Sequence, residues 1–202
     1  MPRQPTITEI RLEKVTACLS PAVTLLNELN DAFAPPFAQQ ILNTVASLLK
    51  LVQNLKQNKK ECAELLENIH DVLYAIIDFH IKSEAVGSLS PAMMEHVGRF
   101  MKTLHKTYIY IEAQQDGNKL KQLFRNIEMN GLAKDCRAEL DKAKKTFGVG
   151  TSGAIFKDIE EMKTATEAKH KEILELISTM SETNTTTDGS SVNLGANELK
   201  NR

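Results

Sequence analysis

The segment PFAQQILNTVASLLKLVQNL, from Pro36 to Leu55, carries the clearest structural pattern in this 202-residue chain. Its large apolar residues recur at alternating intervals of four and three, which is the spacing of one face of an α-helix. Proline is favoured in the first helical turn, so a helix is expected to begin at Pro36. The residues of the apolar face are Ile41, Val45, Leu48, Val52 and Leu55.

Helical spacing continues on both sides of this segment, and no segment shows the strict alternation of a half-buried strand. The sequence therefore predicts an all-α protein. Ser20 before Pro21 indicates that the first helical region is two pieces or one kinked helix. Gly131 is expected to kink or end a later helix, and Gly148 to follow the end of one. The helix start signals are Thr6 with Glu9, Ser20 with Pro21, Asn58 with Glu61, and Ser90 with Pro91.

The overall charge hides an uneven distribution. The chain has 25 basic and 26 acidic side chains, a formal net charge of −1, which argues against a dedicated nucleic-acid binder. Residues 99–145, however, carry 11 basic and 6 acidic side chains, a net of +5, between two segments of −3 each. The basic middle segment makes anionic membrane lipid the expected anionic partner, ahead of nucleic acid.

Part of the basic segment forms a candidate lipid-binding face. Arg99, Lys102 and Lys106 share one helix face, and it is predicted to lie opposite an apolar stripe that includes Val97 and Leu104. The alternative is a solvated face, or one neutralised by the acidic last helix, whose release would then expose it. The candidate lipid-binding residues are Arg99, Lys102, Lys106, Lys119, Lys121 and Arg125.

The last predicted helix offers a second candidate surface. Its apolar residues could bind a partner helix, which would make the chain a plain protein-interaction or oligomerisation adaptor without membrane activity. Protein partners or self-association are expected in either case. The candidate partner-helix residues are Ile159, Met162, Ile173 and Leu176.

Several short motifs suggest chemistry that their surroundings do not support. The glycines of GVGTSG, residues 148–153, spell a dinucleotide fingerprint, but a lysine-rich helix precedes them where a strand is required. Glu67 with His70 and Glu167 with His170 have di-iron spacing, yet the inward-facing glutamates of two further helices are lacking. We therefore expect no enzyme activity, no cofactor, no metal and no small-molecule substrate.

The cysteines and the N-terminus predict a cytoplasmic protein, and the candidate lipid-binding face adds the expectation that it is recruited to a membrane on activation. Cys18, Cys62 and Cys136 are odd in number and widely spaced, which argues against a disulfide framework. Cys62 and Cys136 lie on apolar stripes and are expected to pack as small core residues. The first fifteen residues carry five charges and lack the apolar core of a signal peptide.

Two stretches resemble a known family. EMNGLAKDCRAELDKAKKTF (128–147) and DIEEMKTATEAKHKEILELISTMS (158–181) are similar to the N-terminal helical domain found ahead of NTPase, kinase or repeat modules in mushroom-forming fungi. NKKEC (58–62), followed by Leu65, Ile69 and His70, fits the same pattern. That family is similar to the four-helix bundle and brace of the mixed lineage kinase domain-like pseudokinase, and more loosely to fungal HeLo-type cell-death domains.

The resemblance implies both an architecture and a role. It implies an up-and-down four-helix bundle over residues 16–116 and brace-like helices over 117–180, after an N-terminal segment 1–15 and before a flexible tail or linker 181–202. It also implies a non-enzymatic signalling or executioner module of cell-death or immune-receptor type, with regulated self-association and membrane binding. The first helix departs from a HeLo pore former, because it has Pro2, Pro5 and several charges in place of a glycine-rich apolar start.

Overall fold

The computed structural model describes residues 4–82, 89–115, 119–149 and 159–187, with side chains left out for 119–127, 159–163, 165 and 181–187. The described residues form helices joined by short turns and contain no strand, so the all-α prediction is confirmed for them. None of the described helices is long and apolar enough to cross a membrane. The helices are α1 (Ile7–Phe33), α2 (Ala38–Val52), α3 (Lys59–Ile81), α4 (Pro91–Ala113), α5 (Lys119–Thr146) and α6 (Ile159–Thr187).

Two of the predicted helix starts form as the sequence indicated. The Thr6 hydroxyl accepts the backbone N–H of Glu9, and the Glu9 carboxylate accepts the backbone N–H of Thr6, which completes the capping box of α1. The Ser90 hydroxyl accepts the backbone N–H of Met93 at the start of α4, with Pro91 in the first turn.

Two other start signals act differently from the prediction. Helix α2 begins at Ala38, after a turn that contains Pro36. Asn58 precedes α3 but does not cap it, because its backbone is left-handed (φ 47°) and its side-chain amide donates instead to Gln114 after α4. Asn58 thus ties the start of α3 to the end of α4.

No helix ends at Pro21 or at Gly131, so the expectation of two separate helices at either position is wrong. Helix α1 runs through Pro21 as one element, and Ser20 donates to the carbonyl of Thr16 rather than capping a new helix. Helix α5 likewise runs through Gly131. Gly costs a helix about 1 kcal/mol relative to Ala, a cost that the buried residues following Gly131 offset by packing. Helix α6 continues to Thr187, into the segment expected to be a tail from residue 181.

Cross-helix bonds give the directions of the helices. Glu9 pairs with Lys59 and Arg11 with Glu67, so α1 and α3 run parallel. Tyr110 donates to Glu61, so α4 runs antiparallel to α3. Helix α3 packs against α1, α4, α5 and α6, whereas α2 packs against α1 and α4. Helix α5 therefore lies against both α3 and α4, and α6 lies against α1 and α3.

The core forms along the apolar faces that the sequence indicated. All five residues of the predicted stripe from Ile41 to Leu55 are buried. Cys62 and Cys136 are fully buried free thiols, which confirms their prediction as small core residues. Burial raises the pKa of Cys62 to about 12, so this thiol stays protonated and unreactive at neutral pH.

Candidate anion-binding site

A cleft between α4 and α5 is lined by four basic side chains. The two helices run antiparallel there, since Lys106 pairs with Glu139 while His96 and Phe147 line the opposite end. The cavity between them has a volume of about 470 Å³. We call it the α4–α5 cleft. The residues that line it include His96, Arg99, Phe100, Lys102, Thr103, Lys106, Glu139, Lys142, Thr146 and Phe147.

The floor of the α4–α5 cleft is apolar. Phe100 is 1% exposed and Phe147 8% exposed, and both belong to the main core. Phe100 and Thr103 are buried in addition to Val97 and Leu104 of the predicted apolar stripe, so the buried side of α4 extends from that stripe towards the cations. Helix α4 is in fact buried on a wide arc, because α5 covers the side next to the cations.

The wall of the α4–α5 cleft is strongly basic. Arg99, Lys102, Lys106 and Lys142 line it against a single described carboxylate, Glu139, which leaves a net charge of +3. Low-dielectric walls strengthen the potential of such a cleft and concentrate anions within it. The arrangement can therefore attract a phosphate or carboxylate group.

Glu139 neutralises part of this charge with both of its oxygens. Its Oε1 lies 2.7 Å from Lys106 Nζ, and its Oε2 accepts a hydrogen bond of 2.7 Å from the Thr103 hydroxyl. Burial alone would raise the pKa of Glu139, but the bonds from Lys106 and Thr103 outweigh it and lower the pKa. The hydrogen bond to Glu139 likewise raises the pKa of Lys106. Both groups are charged at neutral pH.

The other cations are more available. Arg99 pairs with Glu95 one turn earlier on α4, and that bond lowers the pKa of Glu95. Both partners of this pair are more than half exposed, so the pair contributes little to stability. Lys102 is exposed and forms no ion pair with the described residues. Lys142 is also exposed and lies one turn from Glu139.

Three of the six predicted lipid-binding residues line this cleft, and the side chains of the other three lie outside those described. Arg99, Lys102 and Lys106 line it, as the sequence suggested. The first turns of α5 contain Lys119, Lys121 and Arg125, whose side chains lie outside those described. Arg125 stands fourteen positions before Glu139, about 21 Å along the helix axis at the usual rise. Lys142 and His96 also line the cleft.

The described residues of the last helix do not cover the basic face, and the acidic side chains at positions 160 and 161, at the start of that helix, lie outside those described. Helix α6 packs against α1 and α3 and makes no contact with α4. The acidic side chain that reaches the basic face comes from α5, since Glu139 bonds both Lys106 and Thr103.

The predicted partner-helix face is occupied within the chain itself. Ile173 is fully buried, and Leu176 is half-buried against the core. Ile159 and Met162 belong to α6, but their side chains lie outside those described. The face would be free for a partner only after α6 left α1 and α3.

A polar cluster joins α3, α5 and α6 on another side of the molecule. Asp71 accepts a bond of 2.8 Å from Lys144 on α5 and lies 3.3 Å from the ring of its neighbour His70. His70 is buried, and its Nε2 lies 3.2 Å from the hydroxyl of Thr166 on α6. A smaller cavity of about 380 Å³ adjoins this cluster.

The Glu67–x–x–His70 pair has structural roles, whereas Glu167 of the second pair is exposed. The Glu67 carboxylate forms a bidentate ion pair with the Arg11 guanidinium, with bonds of 2.6 and 2.7 Å. His70 belongs to the polar cluster that joins α3, α5 and α6. Among the described residues, no group of three or more potential metal ligands comes together.

The glycine motif is a helix end where it is described. Gly148 has a φ of 65°, its N–H donates to the Lys145 carbonyl, and the N–H of Val149 donates to the Lys144 carbonyl. These bonds define a Schellman ending of α5 and confirm Gly148 as the residue after the helix. The remaining glycines at 150 and 153 fall outside the described residues.

Sequence reasoning missed Glu139 and Lys142. Both flank the apolar stripe of α5, three residues apart, which is the spacing of neighbours on one helix face. The sequence shows that these two residues share one face of a helix. It does not show that this face packs against α4, which is why they were not predicted as site residues.

Comparison with models of known families, with curated proteins and with solved structures gives no match to this chain. What the α4–α5 cleft can bind is therefore judged from its own residues.

Proposed function

We propose that this chain is a non-enzymatic helical signalling module that binds anionic membrane lipid through the α4–α5 cleft. The observation that carries the proposal is the excess of four cations over one carboxylate around a cleft with an apolar floor. Each basic residue near an anionic membrane surface contributes about 1 kcal/mol of binding free energy. Phe100 and Phe147 line the same cleft as the cations and keep its floor apolar.

The broader role in this proposal comes from the family resemblance. It assigns the chain to cell-death or immune-receptor signalling, with a four-helix bundle, brace-like outer helices and regulated self-association. The positions of α5 and α6 on the outside of α3 are compatible with such brace helices. Recruitment from the cytoplasm to a membrane would be the activating step.

Vesicle flotation tests the membrane step. Neutralising Arg99 and Lys102 together, as Arg99→Gln with Lys102→Gln, is expected to weaken binding to vesicles containing phosphatidylserine about thirty-fold, from the loss of about 2 kcal/mol. Neither residue is buried, so the variant is expected to fold normally. Binding should also weaken as salt is added, because these charges are screened.

The matched control removes the same charge elsewhere. Lys50 and Lys60 are exposed residues of α2 and α3 that do not line the cleft, so Lys50→Gln with Lys60→Gln should leave vesicle binding unchanged. Equal losses in the two double variants would indicate a general charge effect and would overturn the assignment to the cleft. Equal recovery of the unmodified chain on neutral and anionic vesicles would overturn membrane binding itself.

The adaptor function stands as the second candidate. It is favoured by the peripheral position of α6, which packs only on α1 and α3 among the described helices. A dimer that forms with rising concentration in light scattering, without lipid binding, would support it. Since Ile173 is fully buried, this function requires α6 to detach first.

A further inference from the structure

The two oxygens of Glu139 accept hydrogen bonds from two side chains that line the α4–α5 cleft. An ammonium group (Lys106) and a hydroxyl group (Thr103) both point to one carboxylate, each at 2.7 Å. Such a pair of donors also suits two oxygens of a phosphate group. Among the described residues that line the cleft, Glu139 is the one acidic side chain.

Helix α5 does not depend on Glu139 to stay in place. Arg137 bonds Glu61 and Glu64 of α3, and Lys144 bonds Asp71 and Asn68 of the same helix. Cys136 and Leu140 are also fully buried. The bonds of Glu139 to α4 can therefore break while α5 remains anchored on α3.

We propose that Glu139 is an internal competitor: its carboxylate occupies the position that a phosphate group of the ligand takes, and the ligand binds by displacing it. This inference rests on the proposed function, since it concerns the same cleft. After displacement, Lys106 and Thr103 bond the phosphate, and the Glu139 side chain turns to solvent, where it is already 41% exposed. The step exchanges one anion for another and forms no covalent bond.

The exchange favours one class of anion. Displacing Glu139 costs the same two hydrogen bonds whichever ligand enters. A phosphate monoester carries a charge of about −1.5 to −2 at neutral pH, so it gains more from Arg99, Lys102 and Lys142 than a diester of charge −1 does. The cleft is thus expected to prefer phosphate monoesters, which occur both in lipid headgroups and in soluble compounds.

Glu139→Gln tests the inference in the full chain. The glutamine keeps an oxygen that can accept from Thr103 but removes the charge that repels the ligand. Binding to vesicles containing phosphatidic acid, a monoester lipid, is expected to strengthen about three- to ten-fold. Soluble inorganic phosphate forms the second arm of the experiment: it should shift the NMR signals of Thr103 at lower concentration in the variant than in the unmodified chain.

Two further variants separate competition from other effects. Asp141→Asn removes the same charge from an exposed position two residues away, outside the cleft, and should leave affinity unchanged. Glu139→Asp keeps the charge on a shorter side chain and should strengthen binding less than Glu139→Gln does. Circular dichroism at increasing urea reports whether each variant remains folded.

The outcomes distinguish this inference from the proposed function. If Glu139→Gln binds phosphatidic acid no more tightly than the unmodified chain, while Arg99→Gln with Lys102→Gln still weakens binding, Glu139 is structural and the inference is overturned alone. If no form of the chain binds either probe, both proposals are overturned. A gain limited to vesicles, or to soluble phosphate, supports the competition and identifies the source of the monoester.

Discussion

Asp71 shows how one carboxylate can hold three helices together. It lies on α3, accepts a bond from Lys144 of α5, and contacts His70, which in turn reaches Thr166 of α6. Burial by itself would raise the pKa of Asp71, but the bonds from His70 and Lys144 outweigh it and the pKa is lowered. The charged form is therefore the one that the folded state stabilises.

We expect Asp71→Asn to destabilise the protein by about 1–2 kcal/mol at pH 7, because Lys144 loses its charged partner in a partly buried site. A carboxylate whose pKa falls on folding stabilises the folded state above the pKa of the unfolded chain, about 3.9, and ceases to do so as the pH drops through the folded value. The difference in free energy of unfolding between the unmodified chain and Asp71→Asn should therefore become smaller below pH 4. Urea unfolding at pH 7 and pH 3 measures both values.

Asp31→Asn is the control for this prediction. Asp31 is an exposed aspartate of α1, so its replacement should leave the free energy of unfolding within about 0.5 kcal/mol of the unmodified chain. An Asp71→Asn deficit that stayed constant between pH 7 and pH 3 would contradict the charge-based explanation and point to a loss of packing.

At the scale of elements, the sequence predicted the apolar faces better than the helix ends. The stripe from Ile41 to Leu55 is buried because a four–three spacing leaves no other way to bury large side chains on a helix. Pro21 and Gly131 were predicted to end or kink a helix, yet the helix continues through each, because packing of the residues around them outweighs their low helix propensity. A residue of low helix propensity therefore stays in a helix where tertiary contacts stabilise the helix by more free energy than the residue costs.

Two neighbouring leucines of α2 allow the free energy contributed by burial to be measured. Leu48 is 1% exposed and Leu49 is only half-buried, although both belong to the same helix turn. Leu48→Ala should lower the free energy of unfolding by about 2–5 kcal/mol, through lost burial and the cavity left behind. Leu49→Ala should cost clearly less. Similar losses from the two variants in urea titrations would contradict the predicted register of α2.

For the whole molecule, the sequence indicated which residues form the basic cluster but not what covers it. The spacing of Arg99, Lys102 and Lys106 put them on one face, and the structure brings them together in the cleft. The covering helix could not be inferred, because α5 and α6 both carry acidic residues and helical spacing does not specify partners. Antiparallel packing of α5 on α4 was the missing information, and it brings Glu139 and Lys142 to the site.

From the sequence, release of the last helix was expected to expose the basic face. In the structure, the described part of α6 does not contact α4, so release of α6 is not expected to expose the α4–α5 cleft. Ile173 of α6 is fully buried, so Ile173→Asp places an unpaired charge in the core and should loosen α6, seen as faster proteolysis within it. Because α6 makes no described contact with α4, vesicle binding by this variant should stay unchanged.

Ser178→Asp adds the same charge at an exposed position of α6 and should alter neither proteolysis nor binding. The informative contrast is with Glu139→Gln, which should raise affinity while α6 stays protected from protease. If Ile173→Asp instead strengthened binding to anionic vesicles as much as Glu139→Gln, α6 would be the element that controls the cleft. Loosening α6 would then have to reach the site through α3, which contacts both outer helices and has Asp71 and His70 at their junction.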